Sequence, residues 1–396
     1  PDTSPAHSET DAQPSAPARP ILQVEVPPVS DSGVPVDELA SRPGREEAQA
    51  PSGPAYEVLL GDTSKSRQYG LLGMAAGKRV ALDLNGTNTI SLFGVQGGGK
   101  SYTVGTIVEM AAQTAAGVNC LPAPLATVVF HYHESQDYPP EFVSMVSANQ
   151  NAGEIQVLAQ DYGGAPAGLH DVLVLTSADK LAARQAEFPN VPVAPIYFSS
   201  SELHIKDWRF LLGVAGNQMY MKQINMIMRE LRDQMTLDTL RQRIEDSELS
   251  DQQKTIARIR LNFASQFIDD GYRLANLLRP GRLIIVDLRD EFIDKDEALG
   301  LFVVMLNIFA NAGREEAFNK LIVFDEAHKY MDNPDLTAHI VDVIRQMRHQ
   351  GVSVLIASQD PPSLPTAIIE LSSLVILHRF NSPQWLKHAQ RAITSL

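Results

Sequence analysis

The chain has 396 residues, 44% of them hydrophobic, enough to bury a sizeable core in about two or three domains. Its formal net charge of −14 excludes a protein that coats nucleic acid or anionic membrane with its whole surface, and leaves room only for a local basic channel. The single cysteine, Cys120, excludes an internal disulfide and a cysteine zinc cluster, and fits a reducing, cytoplasmic setting.

Taken in chain order, Pro1 to roughly Ala55 holds close to half of the 25 prolines and no aromatic residue. Such a stretch buries too little apolar surface to offset its ordering entropy, so residues 1–55 are expected to be a disordered, Pro-rich linker or tail. The chain begins at Pro1 rather than Met and shows no charged-then-apolar signal segment, so an upstream start is expected. Residues 56–396 are expected to form the folded domain. Val80 to Leu84, the Asn85-Gly86 dipeptide and Thr87 to Phe93 suggest a hairpin leading into the first core strand. Further strands are predicted at Thr127 to Phe130, Val172 to Leu175, Leu283 to Asp287, Leu321 to Phe324, Val352 to Ala357 and Leu374 to Leu377. Several are continuous apolar runs without alternation, as expected of parallel strands buried on both faces, so the fold class is α/β with a mostly parallel sheet flanked by helices.

Residues from about 200 to 278 read as a helical insertion. Ile224, Ile227, Leu231 and Met235 fall at helical spacing, as do Ile256, Ile259, Phe263 and Phe267, and Ser250 with Gln253 forms a capping box before the second of these helices. Lys222, Arg229, Arg232, Lys254, Arg258 and Arg260 alternate with Glu230, Asp233, Glu245 and Asp251, which predicts a solvated face of mixed charge. Leu299 to Ala312 is broken by Asn307 and reads as a buried helix, not a membrane span.

Two motifs carry the chemistry. Gly94-Val95-Gln96-Gly97-Gly98-Gly99-Lys100-Ser101 fits G-x-x-x-x-G-K-[ST], between a strand-like segment and a helical pattern from Tyr102 to Ala112. Three successive glycines let backbone N–H groups turn toward phosphates, and the helix N-terminus adds a favourable dipole. In this reading Gly94 to Tyr102 contact ATP, Lys100 bridges its β- and γ-phosphates, and the Ser101 hydroxyl ligates Mg²⁺. Downstream, the apolar run Leu321 to Phe324 delivers Asp325 and Glu326 to the end of a buried strand, where open α/β sheets place their ligands. Asp325 suits holding the magnesium through a bound water, and Glu326 suits polarising the attacking water.

Val352 to Ala357 runs into Ser358-Gln359-Asp360-Pro361, which places Gln359 as an amide sensor of the γ-phosphate. Positive charge is also needed against the transition state. Arg345, Arg348 and Arg379 flank the sensor strand, Arg348 and Arg379 being the better candidates for catalysis from a neighbouring subunit. His131, His133 and Glu134 follow the second core strand and read either as satisfied polar residues or as contacts to the nucleotide, lytic water or a metal.

Asp325-Glu326-Ala327-His328 spells the DEAH box of superfamily-2 helicases, but Lys100 and Asp325 stand 225 positions apart, far more than those helicases allow. The order of elements resembles the HerA/FtsK superfamily of ring-forming DNA-pumping ATPases, and HerA-like proteins most closely. Leu92 to Val104 resembles their phosphate loop and helix, Leu277 to Leu288 the strand returning from their helical insertion, and Arg348 to Pro361 the approach to the glutamine sensor. The likeness covers roughly Leu71 to Phe380. It implies a RecA-like P-loop NTPase core, a homo-hexameric ring, and ATP-powered movement of double-stranded DNA, often beside a nuclease; the setting expected for such a motor is DNA processing or anti-phage defence. Lys100, Ser101, Asp325, Glu326 and Gln359 carry over, with Arg348 and Arg379 as the arginine candidates. Two features depart from the family. The Pro-rich segment cannot form the usual N-terminal β-barrel, and His131-Tyr132-His133-Glu134 stands where an acidic Asp-Pro-type turn is usual. A rival reading, an ATP-dependent assembly or signalling switch that organises a partner enzyme without moving DNA, fits the acidic charge. Secretion or conjugation coupling would normally need membrane helices, which the sequence does not contain.

Overall fold

The computed structural model describes residues 55–61, 66–212, 219–313, 318–331, 334–347, 350–380 and 382–392. The expected Pro-rich tail, except Ala55, and Arg348 lie outside them. In chain order the strands are β1 (Val58–Leu60), β2 (Tyr69–Ala75), β3 (Lys78–Asp83), β4 (Thr89–Phe93), β5 (Asn119–Cys120), β6 (Ala126–His133), β7 (Val172–Thr176), β8 (Val193–Pro195), β9 (Leu283–Arg289), β10 (Lys320–Phe324), β11 (Val352–Ser358) and β12 (Leu374–Leu377). The helices are α1 (Lys100–Ala112), α2 (Ala152–Tyr162), α3 (Leu181–Glu187), α4 (Ile205–Leu211), α5 (Met219–Leu231), α6 (Leu237–Glu245), α7 (Asp251–Ser265), α8 (Lys295–Asn311), α9 (Pro334–Met347), α10 (Thr366–Glu370) and α11 (Pro383–Ala392).

The larger sheet has the order β12-β4-β11-β10-β6-β9-β7-β8, and its pairings are parallel. Every residue of β4, β7, β9 and β10 is buried, which is why these runs show no alternation. One face packs on α1 through Val104, Ile107 and Val108; the other carries α8, whose Phe302 sits 4.7 Å from Phe130 ring to ring, with Phe324 5.1 Å from Phe130. Parallel strands covered on both faces leave only their ends open to ligands. The carboxyl ends of β4, β11, β10 and β6 therefore form one rim.

A smaller sheet, β1-β3-β2-β5, is built from the strands before β4 together with β5. Here the sequence reading of a hairpin across Asn85-Gly86 is corrected: β3 pairs with β1 and β2, whereas β4 lies between β12 and β11. The Asp83 carboxylate accepts the N–H groups of Asn85 and Gly86 at 3.0 and 2.9 Å, and the Asn88 amide donates to the Asp83 carbonyl at 3.1 Å. These bonds turn the chain away from β3, while β4, buried at every position, finds cover in the parallel sheet. The true hairpin joins β2 to β3 through Ala76 and Gly77, at φ 49° and 74°. Two successive left-handed residues match the twist of an antiparallel pair.

Between β8 and β9 the chain is helical through α4, α5, α6 and α7. The Ser250–Gln253 capping box is present at the start of α7. α5 ends at Leu231, with Arg232 at φ 46°, so Met235 is buried but does not continue its helical stripe. On α7 the buried face is Ala257, Leu261 and Ala264; Ile256 and Ile259 project outward, 36% and 62% exposed. Phe263 and Phe267 of the expected stripe do pack on the core, so only its first two members lie on the outer side. The basic residues there are engaged locally: Arg258 meets the Glu245 carboxylate at 2.6 Å, Lys254 donates to the Glu245 carbonyl at 2.6 Å, and Arg260 lies 3.3 Å from Glu297.

α8 is buried along most of its length, and its Asn307 donates to the carboxylate of Asp207 at 2.7 Å. Among the described residues, no helix is long and apolar enough to cross a membrane.

Candidate active site

The rim gathers side chains from four strands. β4 leads through Gly94–Gly99 into α1, whose N-terminus has no side-chain cap and no acidic residue in its first turn. Its N–H groups are thus left for an anion. Gly97 and Gly99 hold φ 73° and 90°, and a methyl added at Gly98 would stand 2.9 Å from the Val95 carbonyl oxygen. The Gly98 N–H donates to that carbonyl at 3.0 Å, closing the loop's turn. Lys100 opens α1 and is 4% exposed. Ser101 is partly buried beside it, Gln96 is exposed, and the Tyr102 side chain is 73% exposed on the first turn.

β10 brings Asp325 and Glu326 opposite this loop. The Lys100 ammonium donates to Glu326 Oε1 at 2.7 Å and lies 3.9 Å from Asp325 Oδ1. Gln359, just beyond β11, donates through Nε2 to the same Glu326 Oε1 at 2.6 Å. Three motifs scattered through the sequence therefore meet on one carboxylate oxygen. The other oxygen, Oε2, is buried without a hydrogen bond, 3.3 Å from His328 Nδ1. Glu326 itself takes a left-handed backbone, φ 48° and ψ 43°. A non-glycine residue held there costs about 1–3 kcal/mol and persists only where its surroundings fix it. The Lys329 N–H donates to the Glu326 carbonyl at 2.9 Å, and the Tyr330 hydroxyl to the Asp325 carbonyl at 2.9 Å, which supply that restraint.

Burial pushes the Asp325 carboxyl up, but the neighbouring His131 imidazole, the Lys100 ammonium and Lys329 more than offset it, so Asp325 is held below the ordinary carboxylate range. It remains ionised at neutral pH, as a ligand for a hard cation must. His131 lies 3.6 Å from Asp325 Oδ2 through Nδ1, and its Nε2 is 2.9 Å from the Tyr138 carbonyl, to which it donates. His133 instead accepts the Ser135 N–H at 2.9 Å and stacks on Tyr138 with ring centroids 4.1 Å apart; Glu134 is exposed. Burial is the main reason the His133 imidazole is pushed down, with Lys329 adding to it. Among the described residues no three His, Cys, Asp or Glu side chains form a metal cluster. A magnesium held by one hydroxyl and one carboxylate, with phosphates and waters completing its shell, needs none. The residues present fit that ion.

Arg345 pairs with Asp342 at 3.2 Å on the surface of α9. Arg379 is exposed, and its carbonyl accepts the Val95 N–H at 3.2 Å, which puts this residue at the edge of the phosphate loop. His328 was met in the sequence only as the end of the DEAH spelling, without a role; Tyr330, which follows it, and Tyr138, which holds His131, were missed. So was His378, whose ring touches α1. Tyr330, Tyr138 and His378 sit in no pattern that spacing alone reveals.

No family model and no curated protein matches the sequence. Among solved structures the chain is similar to VirB4 of Thermoanaerobacter pseudethanolicus, at 11% identity and a TM-score of 0.53, covering 86% of this chain and 90% of that one. It is also similar to the bacterial conjugative coupling protein TrwB lacking its first 70 residues, in unbound form, at 13% identity and a TM-score of 0.44 over 84% of this chain and 71% of that one. The plasmid coupling protein TrwB in complex with ADP and Mg²⁺ gives 13% identity and a TM-score of 0.44 over 84% and 73%. The first of these likenesses extends over nearly the whole of both chains. The fold is that of RecA-like P-loop NTPases, as the resemblance implied.

Proposed function

We propose that this chain is a P-loop ATPase that uses ATP and Mg²⁺ and, as a homo-hexameric ring of HerA type, moves double-stranded DNA. The observation that carries the catalytic part is the meeting of Lys100 and Gln359 on one oxygen of Glu326, at 2.7 and 2.6 Å. The loop N–H groups and Lys100 bind the β- and γ-phosphates, and Ser101 and Asp325 hold Mg²⁺. Bound Mg²⁺ withdraws charge from the phosphate oxygens. Glu326 takes the proton of the attacking water, and Gln359 orients that water or the γ-phosphate. The arrangement also gives an order of events. Lys100 and Gln359 both donate to Glu326, and a γ-phosphate competes for both and leaves the carboxylate to face the water. Binding thereby assembles the base.

The motor reading rests on the resemblance in motif order, the helices between β8 and β9, and the fold shared with VirB4. Arg379 at the loop edge, and Arg348, are the proposed sources of transition-state charge, acting between subunits. The proposed setting is cytoplasmic, with a nuclease or other defence-complex enzyme as partner class. One observation favours the rival assembly switch: the net charge of −14 is unhelpful to a surface that grips DNA.

Displacement of a third strand from a triplex on long duplex DNA separates the two. The motor releases the third strand with ATP and not with ADP. Undiminished ATP hydrolysis that leaves the third strand in place, at a rate indifferent to duplex DNA, rejects translocation in favour of the switch.

A further inference from the structure

His378 follows the last residue of β12 and backs directly onto the phosphate loop. Its N–H donates to the Phe93 carbonyl at 2.7 Å, and the carbonyl of Arg379 accepts the Val95 N–H at 3.2 Å, so the main chain is tied on both sides of Gly94. The side chain then crosses behind the glycines. A methyl group added at Gly94 would lie 2.5 Å from His378 Cβ, one at Gly98 3.8 Å from it, and one at Gly99 3.6 Å from Nδ1. At its far end Nε2 shares a 3.0 Å hydrogen bond with the Thr103 hydroxyl, in which either atom can donate. Thr103 belongs to the first turn of α1, its N–H bonded to the Gly99 carbonyl at 3.2 Å. One imidazole thus spans from the residue where the loop leaves β4 to the turn where it becomes helix.

Glycine has more backbone freedom to lose than any other residue, and two of the three successive glycines here, Gly97 and Gly99, hold left-handed backbone. Bracing both ends in advance lowers the ordering cost that phosphate binding would otherwise meet. We propose that His378 is a positioning residue that pre-sets the phosphate loop, acting through Thr103 and through contact with Gly94. The inference rests on the reading of this loop as the nucleotide-phosphate site. It assigns His378 to affinity and leaves proton transfer to Glu326.

The test is calorimetric titration of the full chain with MgADP, together with steady-state ATPase kinetics, for wild type, His378→Ala, Thr103→Val, the double variant, His378→Gln and Lys100→Ala. Loss of one hydrogen bond predicts roughly threefold to tenfold weaker ADP binding in each single variant. KM should rise while kcat is held, the pattern of lost uniform binding. The double variant should be no weaker than the weaker single, since both remove the same bond, and His378→Gln should recover much of the affinity. A role confined to folding would lower the unfolding temperature without this non-additivity. If His378→Ala fails to fold, Thr103→Val breaks the same bond from the other side. Wild-type affinity in Thr103→Val, or losses that add in the double variant, would overturn the proposal. Failure of the underlying reading looks different: there, wild type and Lys100→Ala bind ADP equally.

Discussion

Glu326→Gln is expected to lose roughly 10²- to 10⁴-fold in ATP turnover, the range associated with a positioned general base, while binding MgATP at least as tightly as wild type. The amide has the shape of the carboxylate but cannot accept a proton from water. It also lacks the charge that holds Lys100 at 2.7 Å, so the ammonium is released to the phosphates at lower cost. Affinity and turnover should therefore separate, with binding kept or improved and hydrolysis lost. Phosphate release under single-turnover conditions, alongside nucleotide binding, reads both quantities. Turnover within tenfold of wild type would remove Glu326 from the role of base.

Lys100→Ala is expected to fail at binding as well as at turnover. A hydrogen bond to a charged group contributes about 1.5–3 kcal/mol, which corresponds to roughly tenfold to a hundredfold in nucleotide affinity. The substitution has a second consequence in the nucleotide-free protein. Asp325 and Glu326 are 12% and 13% exposed and share Lys100 as their nearest Lys or Arg partner. Without it, burial is opposed only by His131 and Lys329, and the Asp325 carboxyl moves back up. The sign follows from linkage. A carboxylate held low in the folded state contributes stability above its unfolded value of 3.8, and that contribution is lost as pH falls through the folded value. Lys100→Ala should thus be less stable than wild type at neutral pH, with the difference closing as the pH is lowered through the carboxylate range. Thermal unfolding at several pH values checks this; a constant difference across that range would show that Lys100 does not hold Asp325 ionised.

The parts of this site legible in the sequence are those a short segment defines by itself. A phosphate loop needs its glycines and lysine at fixed spacing, and a buried strand followed by Asp325 and Glu326 is apolar by necessity, so both announce themselves. Gln359 was readable because the mostly apolar β11 runs straight into the polar Ser358-Gln359-Asp360. What remained hidden depends on pairings between distant segments. The ring of His378 reaches Thr103 only because β12 lies beside β4, and no local pattern encodes that neighbourhood. The left-handed backbone of Glu326 is likewise imposed by the bonds of Lys329 and Tyr330 around it, not by any preference of glutamate. The mistaken hairpin has the opposite origin: Asn85-Gly86 is a strong local turn signal, and it was outweighed by the Asp83 carboxylate capping the turn and by the burial available to β4 in the parallel sheet. The exposed Ile256 and Ile259 show that periodicity identifies a helix more securely than the face it buries.

Phosphate release from MgATP by the full chain, with and without long duplex DNA and with Glu326→Gln as the blank, tests most directly the assignment of this chain as a DNA-moving ATPase. Magnesium-dependent turnover well above that blank, rising further when duplex DNA is added, is the expected result. Release no faster than the blank under both conditions would contradict that assignment.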